Sequence, residues 1–70
     1  MAENTLAEVQ DDGLLLLTLD GSTWRVSVGE NTRSILWLPT DPVLIEKLKD
    51  DSYRITRLAD RDSVLAWPED

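Results

Sequence analysis

The sequence predicts an all-β protein, a small antiparallel barrel of five to six strands. Short apolar or alternating runs recur along its 70 residues. Turn signals separate these runs roughly every 8–12 residues, a spacing typical of small barrels and sandwiches. Two of the runs flank Asp20-Gly21, a dipeptide typical of tight hairpin turns. Since a chain of this length has room for one core only, we expect a single domain.

The composition removes several classes of function. The chain has no Cys and no His, so it lacks thiolates, the commonest metal ligand and the commonest acid–base group at neutral pH. Its net charge of −7 disfavours binding to phosphate backbones and to anionic membranes. The first residues have no basic or apolar leader pattern, and the longest apolar run, Leu14 to Leu17, is too short to span a bilayer. These features predict a cytoplasmic protein that does not bind membranes.

The N-terminal part predicts a disordered terminus followed by the first strand. We assign residues 1–4 to that terminus, 5–67 to the barrel domain and 68–70 to a tail. Residues 5–10 alternate weakly, which favours a strand and leaves a short amphipathic helix as the alternative.

Two loops set the register of the central hairpins. A three-residue loop at Asp11-Asp12-Gly13, with Gly13 in the left-handed region, pairs Val9 with Leu15. A two-residue loop at Asp20-Gly21 pairs Leu17 with Trp24. Both loops therefore predict one core-facing set, which consists of Leu15, Leu17, Leu19, Trp24, Val26 and Val28.

The other face of the leucine strand carries Leu14 and Leu16. A strand that is apolar on both faces is usually covered on both. The cover could come from closure of the barrel, from the C-terminal strand or from a second subunit. The last alternative is a homodimer formed through this strand.

The second half predicts further short strands. Ile35 to Leu38 forms one, and the prolines at 39 and 42 end it. Residues 43–48 favour a strand over a short helix, because isolated helices of that length are marginal. Residues 53–58 alternate, and 64–67 form a last strand that Pro68 ends. No internal repeat is visible. An SH3-like barrel fits this length, and an OB-like barrel is the alternative.

Several stretches together resemble a set of short uncharacterised bacterial β-domain proteins. The stretches are Leu17–Val26 with its Leu-x-Asp-Gly-Ser-x-Trp-x-Val pattern, Trp37–Asp41, Tyr53–Leu58 and Val64–Ala66. Thr40 stands where that pattern has Gly. The resemblance implies a small barrel and no established activity.

No motif in the chain predicts catalysis or a cofactor. Nucleophilic hydrolysis needs a Ser or Cys activated by a base, usually His, and carboxylate pairs need a cleft that so short a chain hardly provides. Asp11-Asp12, Asp50-Asp51 and Asp60-x-Asp62-Ser63 could bring carboxylates to one end of a barrel. The last stretch lacks the Gly at position six and the Glu at position twelve of a calcium loop. We expect these carboxylates to accept turn hydrogen bonds. The chain is therefore expected to be non-enzymatic, with no cofactor and no metal.

The remaining features predict a protein-interaction or accessory module whose partner the sequence does not name. Trp and Tyr are enriched at interface hot spots, and arginines can pair with carboxylates or phosphates. The candidate surface consists of Trp37, Trp67, Leu14, Leu16, Arg25 and Arg57. Trp37 and Trp67 each fit either the core or the surface. The alternative function is a single-stranded nucleic-acid-binding OB- or Sm-like domain, which the net charge disfavours.

Overall fold

The computed structural model describes residues 2–69 and confirms an all-β barrel. Its six strands close into a ring in the order β1-β2-β3-β6-β5-β4, and every neighbouring pair is antiparallel. A four-residue helix α1 lies between β3 and β4, and short 3₁₀ turns follow β1 and β4. The elements are β1 Ala2–Gln10, β2 Leu15–Thr18, β3 Thr23–Val26, α1 Asn31–Ser34, β4 Pro42–Lys47, β5 Tyr53–Arg57 and β6 Ser63–Pro68.

The barrel consists of two three-stranded meanders, β1-β2-β3 and β4-β5-β6. In each meander the 3₁₀ turn after the first strand contains an Asp-Asp pair with positive φ, Asp11-Asp12 and Asp50-Asp51. Asn4 and Val43 are direct partners between β1 and β4. The number of residues from Asn4 to Val43 equals the number from Asp11 to Asp50. The two meanders thus share the placement of the Asp-Asp pair after the first strand, whereas the sequence pattern shows no repeat.

The core fills the inside of this ring. Burying its apolar side chains provides most of the stabilisation available to a chain without disulfides. The Trp24 and Tyr53 rings meet edge to face with centroids 4.8 Å apart. The buried apolar residues are Leu6, Leu16, Trp24, Val26, Trp37, Val43, Ile45, Ile55, Val64 and Ala66.

The predicted register of β2 is wrong by one residue. Leu16 pairs with Val9 on one side and with Trp24 on the other, and its side chain is fully buried. Leu15 and Leu17 are only partly buried. The expectation that Leu16 lies on an outer face is therefore wrong, because a shift of one residue exchanges the two faces of a strand.

The two loops explain the shift. The β1–β2 loop contains three consecutive residues with positive φ, Asp11, Asp12 and Gly13, and it is one residue longer than predicted. The β2–β3 loop is the one that uses a turn followed by a left-handed glycine: Gly21 N–H donates to the Thr18 carbonyl oxygen, and Gly21 has a φ of +91°.

Thr18 therefore faces the interior, where its hydroxyl donates to the Asp20 carboxylate at 2.6 Å. This bond satisfies a polar group that would otherwise be costly to bury. Leu19 and Val28, which the predicted register places toward the core, are 70% and 87% exposed.

Of the other predicted strands and termini, some are confirmed and some are wrong. The strand at 42–47 confirms the strand interpretation of residues 43–48, and the strand interpretation of residues 5–10 is also confirmed. The strand predicted at Ile35–Leu38 is wrong, because residues 35–36 form a turn after α1 and residues 37–38 have no regular secondary structure. Residues 2–4 pair with β4 and so are not a disordered terminus.

The expected C-terminal tail also differs from the structure. Pro68 belongs to β6, and Glu69 N–H donates to the Thr23 carbonyl oxygen. Met1 and Asp70 lie outside the described residues. The SH3-like and OB-like alternatives stay predictions.

A candidate interaction surface on the cap of the barrel

The segment that connects β3 to β4, residues 27–41, packs against the β1–β2 turn and β6, and is called the cap below. The Ser34 hydroxyl donates a 2.7 Å hydrogen bond to the carbonyl oxygen of Gly13, and both residues are buried. The Asn31 amide donates to the Asp12 carbonyl oxygen at 3.0 Å. These bonds hold the cap against the turn that follows β1.

Gly13 permits this close approach. A Cβ atom at this position would lie 2.6 Å from both the Asn31 carbonyl oxygen and the Ile35 nitrogen. Gly13 also has a φ of +87°, in the region that side chains other than glycine disfavour. The local sequence Asp-Asp-Gly thus allows the turn and the cap to touch through their backbones.

Trp37 anchors the inner side of the cap. Its side chain is 2% exposed and belongs to the core, so its proposed place on an interaction surface is wrong. The indole N–H donates to the Asp62 carboxylate at 3.4 Å. The guanidinium carbon of Arg57 lies 5.8 Å from the centroid of the ring, a distance at which a cation is attracted to an indole face.

Ion pairs join the cap to the turn between β5 and β6. Arg33 in α1 pairs with Asp62 at 2.8 Å. Arg57 pairs with Asp60 at 2.5 Å and with Asp41 at 3.5 Å. The Arg57 guanidinium lowers the pKa of Asp60 to about 2, and the Asp60 carboxylate raises the pKa of Arg57. Arg57 is therefore engaged in holding this end of the barrel together.

The outer side of the cap is apolar. Four of the six large hydrophobic side chains that are exposed among residues 2–69 belong to this segment. Isolated exposed leucines are normal on protein surfaces, whereas contiguous apolar patches mark interaction sites, so four exposed side chains on one short segment make the cap the candidate surface. The four are Val28 (87% exposed), Ile35 (46%), Leu36 (72%) and Leu38 (64%).

Sequence reasoning missed this surface. Ile35-Leu36-Trp37-Leu38 is a short apolar run, and periodicity cannot separate a strand from a tight turn in so few residues. Pro39, which follows the run, favours extended backbone at Leu38 and is compatible with the end of a strand, so it gave no signal against the strand. In the structure only Trp37 of the four points into the core, and the other three are exposed.

Two of the residues predicted from the sequence lie together elsewhere. Arg25 on β3 and Trp67 on β6 are direct cross-strand partners. Trp67 is 38% exposed, and Arg25 pairs with Glu69 at 2.5 Å. This contact lowers the pKa of Glu69 and raises the pKa of Arg25.

Leu14 and Leu16, the pair that suggested a homodimer, lie in different environments. Leu14 is partly buried, and its carbonyl oxygen accepts from Val26 N–H, whereas Leu16 is in the core. The hypothesis of dimerisation through that pair therefore loses its basis.

Little else in residues 2–69 has the form of a ligand site. No group of three or more acidic side chains there is arranged to hold a metal ion. A shallow depression of about 200 Å³ lies between Glu30 and β5–β6. One Glu30 oxygen is already used there, since it accepts from Leu65 N–H at 2.9 Å. Within the same range, no helix is long and apolar enough to cross a membrane.

Comparisons with family models, curated proteins and solved structures found no match to this chain. The resemblance of the Asp-Gly-Ser-x-Trp-x-Val hairpin to short bacterial β-domain proteins therefore stays a prediction.

Proposed function

We propose that this protein is a non-enzymatic interaction module that binds a partner protein through the outer side of its cap. The observation that carries the proposal is the cluster of exposed apolar side chains on residues 28–38. Burying a leucine contributes about 1.5–3 kcal/mol relative to leaving it in water. A partner that covers Leu36 and Leu38 would gain stabilisation of that kind from each.

The anchoring of the cap supports the same conclusion. Trp37 is buried beneath it, Ser34 is bonded to Gly13, and Arg33 is paired with Asp62. A surface held in this way loses little conformational entropy when it binds, and preorganisation of this kind favours affinity. The contacts of Trp37, Ser34 and Arg33 thus hold the backbone that carries the exposed apolar side chains.

The alternative of nucleic-acid binding is not favoured by the arginines. Arg25, Arg33 and Arg57 each pair with a carboxylate, and Arg54 pairs with Glu46 at 3.5 Å. A phosphate would have to displace these partners from a chain whose net charge is −7. Single-strand binding domains instead combine a basic groove with stacking aromatic residues.

Site-specific photo-crosslinking tests the proposal. A benzophenone amino acid replaces Leu36, and in a control it replaces Leu19, a leucine of nearly equal exposure on the β2–β3 loop. In extracts of the source cells we expect a discrete crosslinked protein at position 36 and not at 19. Excess wild-type protein should abolish the crosslink, whereas excess Leu36→Ser/Leu38→Ser protein should not. A crosslink that is equal at both positions, or absent from both, contradicts the proposal.

A further inference from the structure

The charges around the cap specify the partner more closely. The cap, the two turns that contact it and Arg57 at the end of β5 together carry six carboxylates and three arginines, a net formal charge of −3. The arginines at 33 and 57 are held by Asp62, Asp60 and Asp41. The nine residues are Asp11, Asp12, Glu30, Asp41, Asp60 and Asp62 with Arg33, Arg57 and Arg61.

The acidic groups that lie on the β1–β2 side of the cap are not neutralised in this way. Asp11 and Asp12 are exposed and make no ion pair with a described residue. Their turn is joined to α1 by the bond from Asn31 to Asp12. The backbone of Ile35, one of the exposed apolar residues of the cap, also lies against Gly13 of this turn, so these two carboxylates border the cap on the side of Ile35.

From this arrangement we infer that the cap binds a protein segment that combines apolar side chains with Lys or Arg, such as a basic amphipathic helix. The inference rests on the proposed function and adds the chemistry of the partner to it. Leu36 and Leu38 would contact the apolar side of the segment, while its basic residues would face Asp11 and Asp12. Complementary charges of this kind raise the association rate and suppress wrong partners.

The same charges disfavour two other occupants. A second copy of this chain would bring an equally acidic border against the first, and each copy carries a net charge of −7. An anionic bilayer would be repelled for the same reason. A basic segment is the occupant that both the apolar side chains and the carboxylates favour.

Three synthetic peptides test the inference on the full-length chain. The first is an amphipathic helix of leucine and lysine, the second has glutamate in place of lysine, and the third has the composition of the first with the helical periodicity shuffled. Binding is followed by fluorescence anisotropy, and amide chemical shifts map the site. We expect the first peptide to bind about tenfold or more tightly than the other two. Its shifts should centre on residues 28–38, and its affinity should fall with salt because the charges are exposed.

Variants locate the contact. Leu36→Ser/Leu38→Ser should weaken binding of the leucine–lysine peptide about tenfold or more, whereas Leu19→Ser should leave it unchanged. Asp11→Asn/Asp12→Asn should weaken it and flatten the salt dependence. Retention of full affinity by either double variant overturns the inference, because binding would then not use the cap or its acidic border.

Other outcomes separate this inference from the proposed function. Equal binding of the leucine–glutamate peptide overturns the basic partner while keeping an apolar docking surface. If none of the three peptides binds and position 36 crosslinks specifically to an acidic protein, the basic partner is likewise overturned and the apolar docking surface is kept. Binding to neutral phosphatidylcholine vesicles through Leu36, or a dimer that Leu36→Ser/Leu38→Ser abolishes in sedimentation equilibrium, overturns the inference in favour of a lipid or a second copy.

Discussion

The Ser34 hydroxyl lies 2.7 Å from the Gly13 carbonyl oxygen, and this buried contact joins the cap to the first turn of the barrel. It exists because Gly13 has no side chain, so that the backbone of α1 comes within contact distance of the turn. The surface that we propose for binding depends on this junction.

Gly13→Ala should destabilise the fold strongly. The new methyl group would meet backbone atoms of the cap at 2.6 Å, and the φ of +87° would be strained. Strain and overpacking together are expected to cost about 2–4 kcal/mol. The control is Gly21→Ala, where φ is +91° and no described atom lies within 4 Å of the added carbon. There the cost should be about 1 kcal/mol. Urea unfolding measures both, and equal losses would contradict the close contact.

Ser34→Ala tests the same junction if the Gly13 variant does not fold. Removing the hydroxyl leaves a buried carbonyl oxygen without its donor, which costs about 1–3 kcal/mol. Thr32→Ala, which removes an exposed hydroxyl bonded to the Gly29 carbonyl oxygen, should cost less. A reversed order would argue against a buried bond at Ser34.

Leu16→Ala and Leu17→Ala test the register of β2. Leu16 is fully buried, and Leu17 is partly exposed. Truncating a buried leucine costs about 2–5 kcal/mol, part of which comes from the cavity. We expect a loss in this range for Leu16→Ala and less than half of it for Leu17→Ala, measured as free energy of unfolding. The opposite order would support the register with Leu17 inside.

Thr40→Gly should stabilise the protein. Thr40 is exposed and has a φ of +77°, a region that is costly for a β-branched residue. Removing the backbone strain at this φ should stabilise the folded state by about 1–2 kcal/mol. Glycine also increases the entropy of the unfolded chain, which costs about 0.5–1 kcal/mol. The expected net stabilisation is therefore about 0.5–1 kcal/mol. Thr32→Gly in α1, where φ is negative, should destabilise. A higher melting temperature for Thr40→Gly and a lower one for Thr32→Gly are expected.

Acid should weaken the fold partly through Asp60. Its pKa is lowered from 3.8 to about 2 by the Arg57 guanidinium. A lowered pKa in the folded state means that the contribution is fully present above the unfolded value and is lost as the pH falls from about 4 to 2. Urea midpoints measured across this range should fall less steeply for Asp60→Asn than for the wild type.

Asp50→Asn provides the control for that pH series, because Asp50 is exposed and makes no ion pair with a described residue. Its midpoints should follow those of the wild type. Parallel curves for the wild type and Asp60→Asn would show that the Arg57–Asp60 pair does not contribute.

Part of the candidate site could be predicted from the sequence and part could not. Trp67, which fitted either the core or the surface, and Arg25 were both candidate surface residues, and they are exposed as cross-strand neighbours. Trp37 and Arg57 were also proposed, but one is buried beneath the cap and the other is held by Asp60 and Asp41. The exposed residues Leu36 and Leu38 were missed, because their run was interpreted as a strand.

The sequence by itself determined the all-β class, the number of strands within one and the position of the turns outside residues 27–41, since these depend on local patterns of apolar, Gly, Pro and Asp residues. Only the tertiary structure decided which side of β2 faces inward, because four consecutive leucines give both sides the same polarity. It also decided that residues 2–4 and Glu69 are held by neighbouring strands. The exposure of Leu36 and Leu38 follows in the same way from contacts between distant segments. The Gly13–Ser34 bond is the clearest of these contacts, and no local pattern in the chain encodes it.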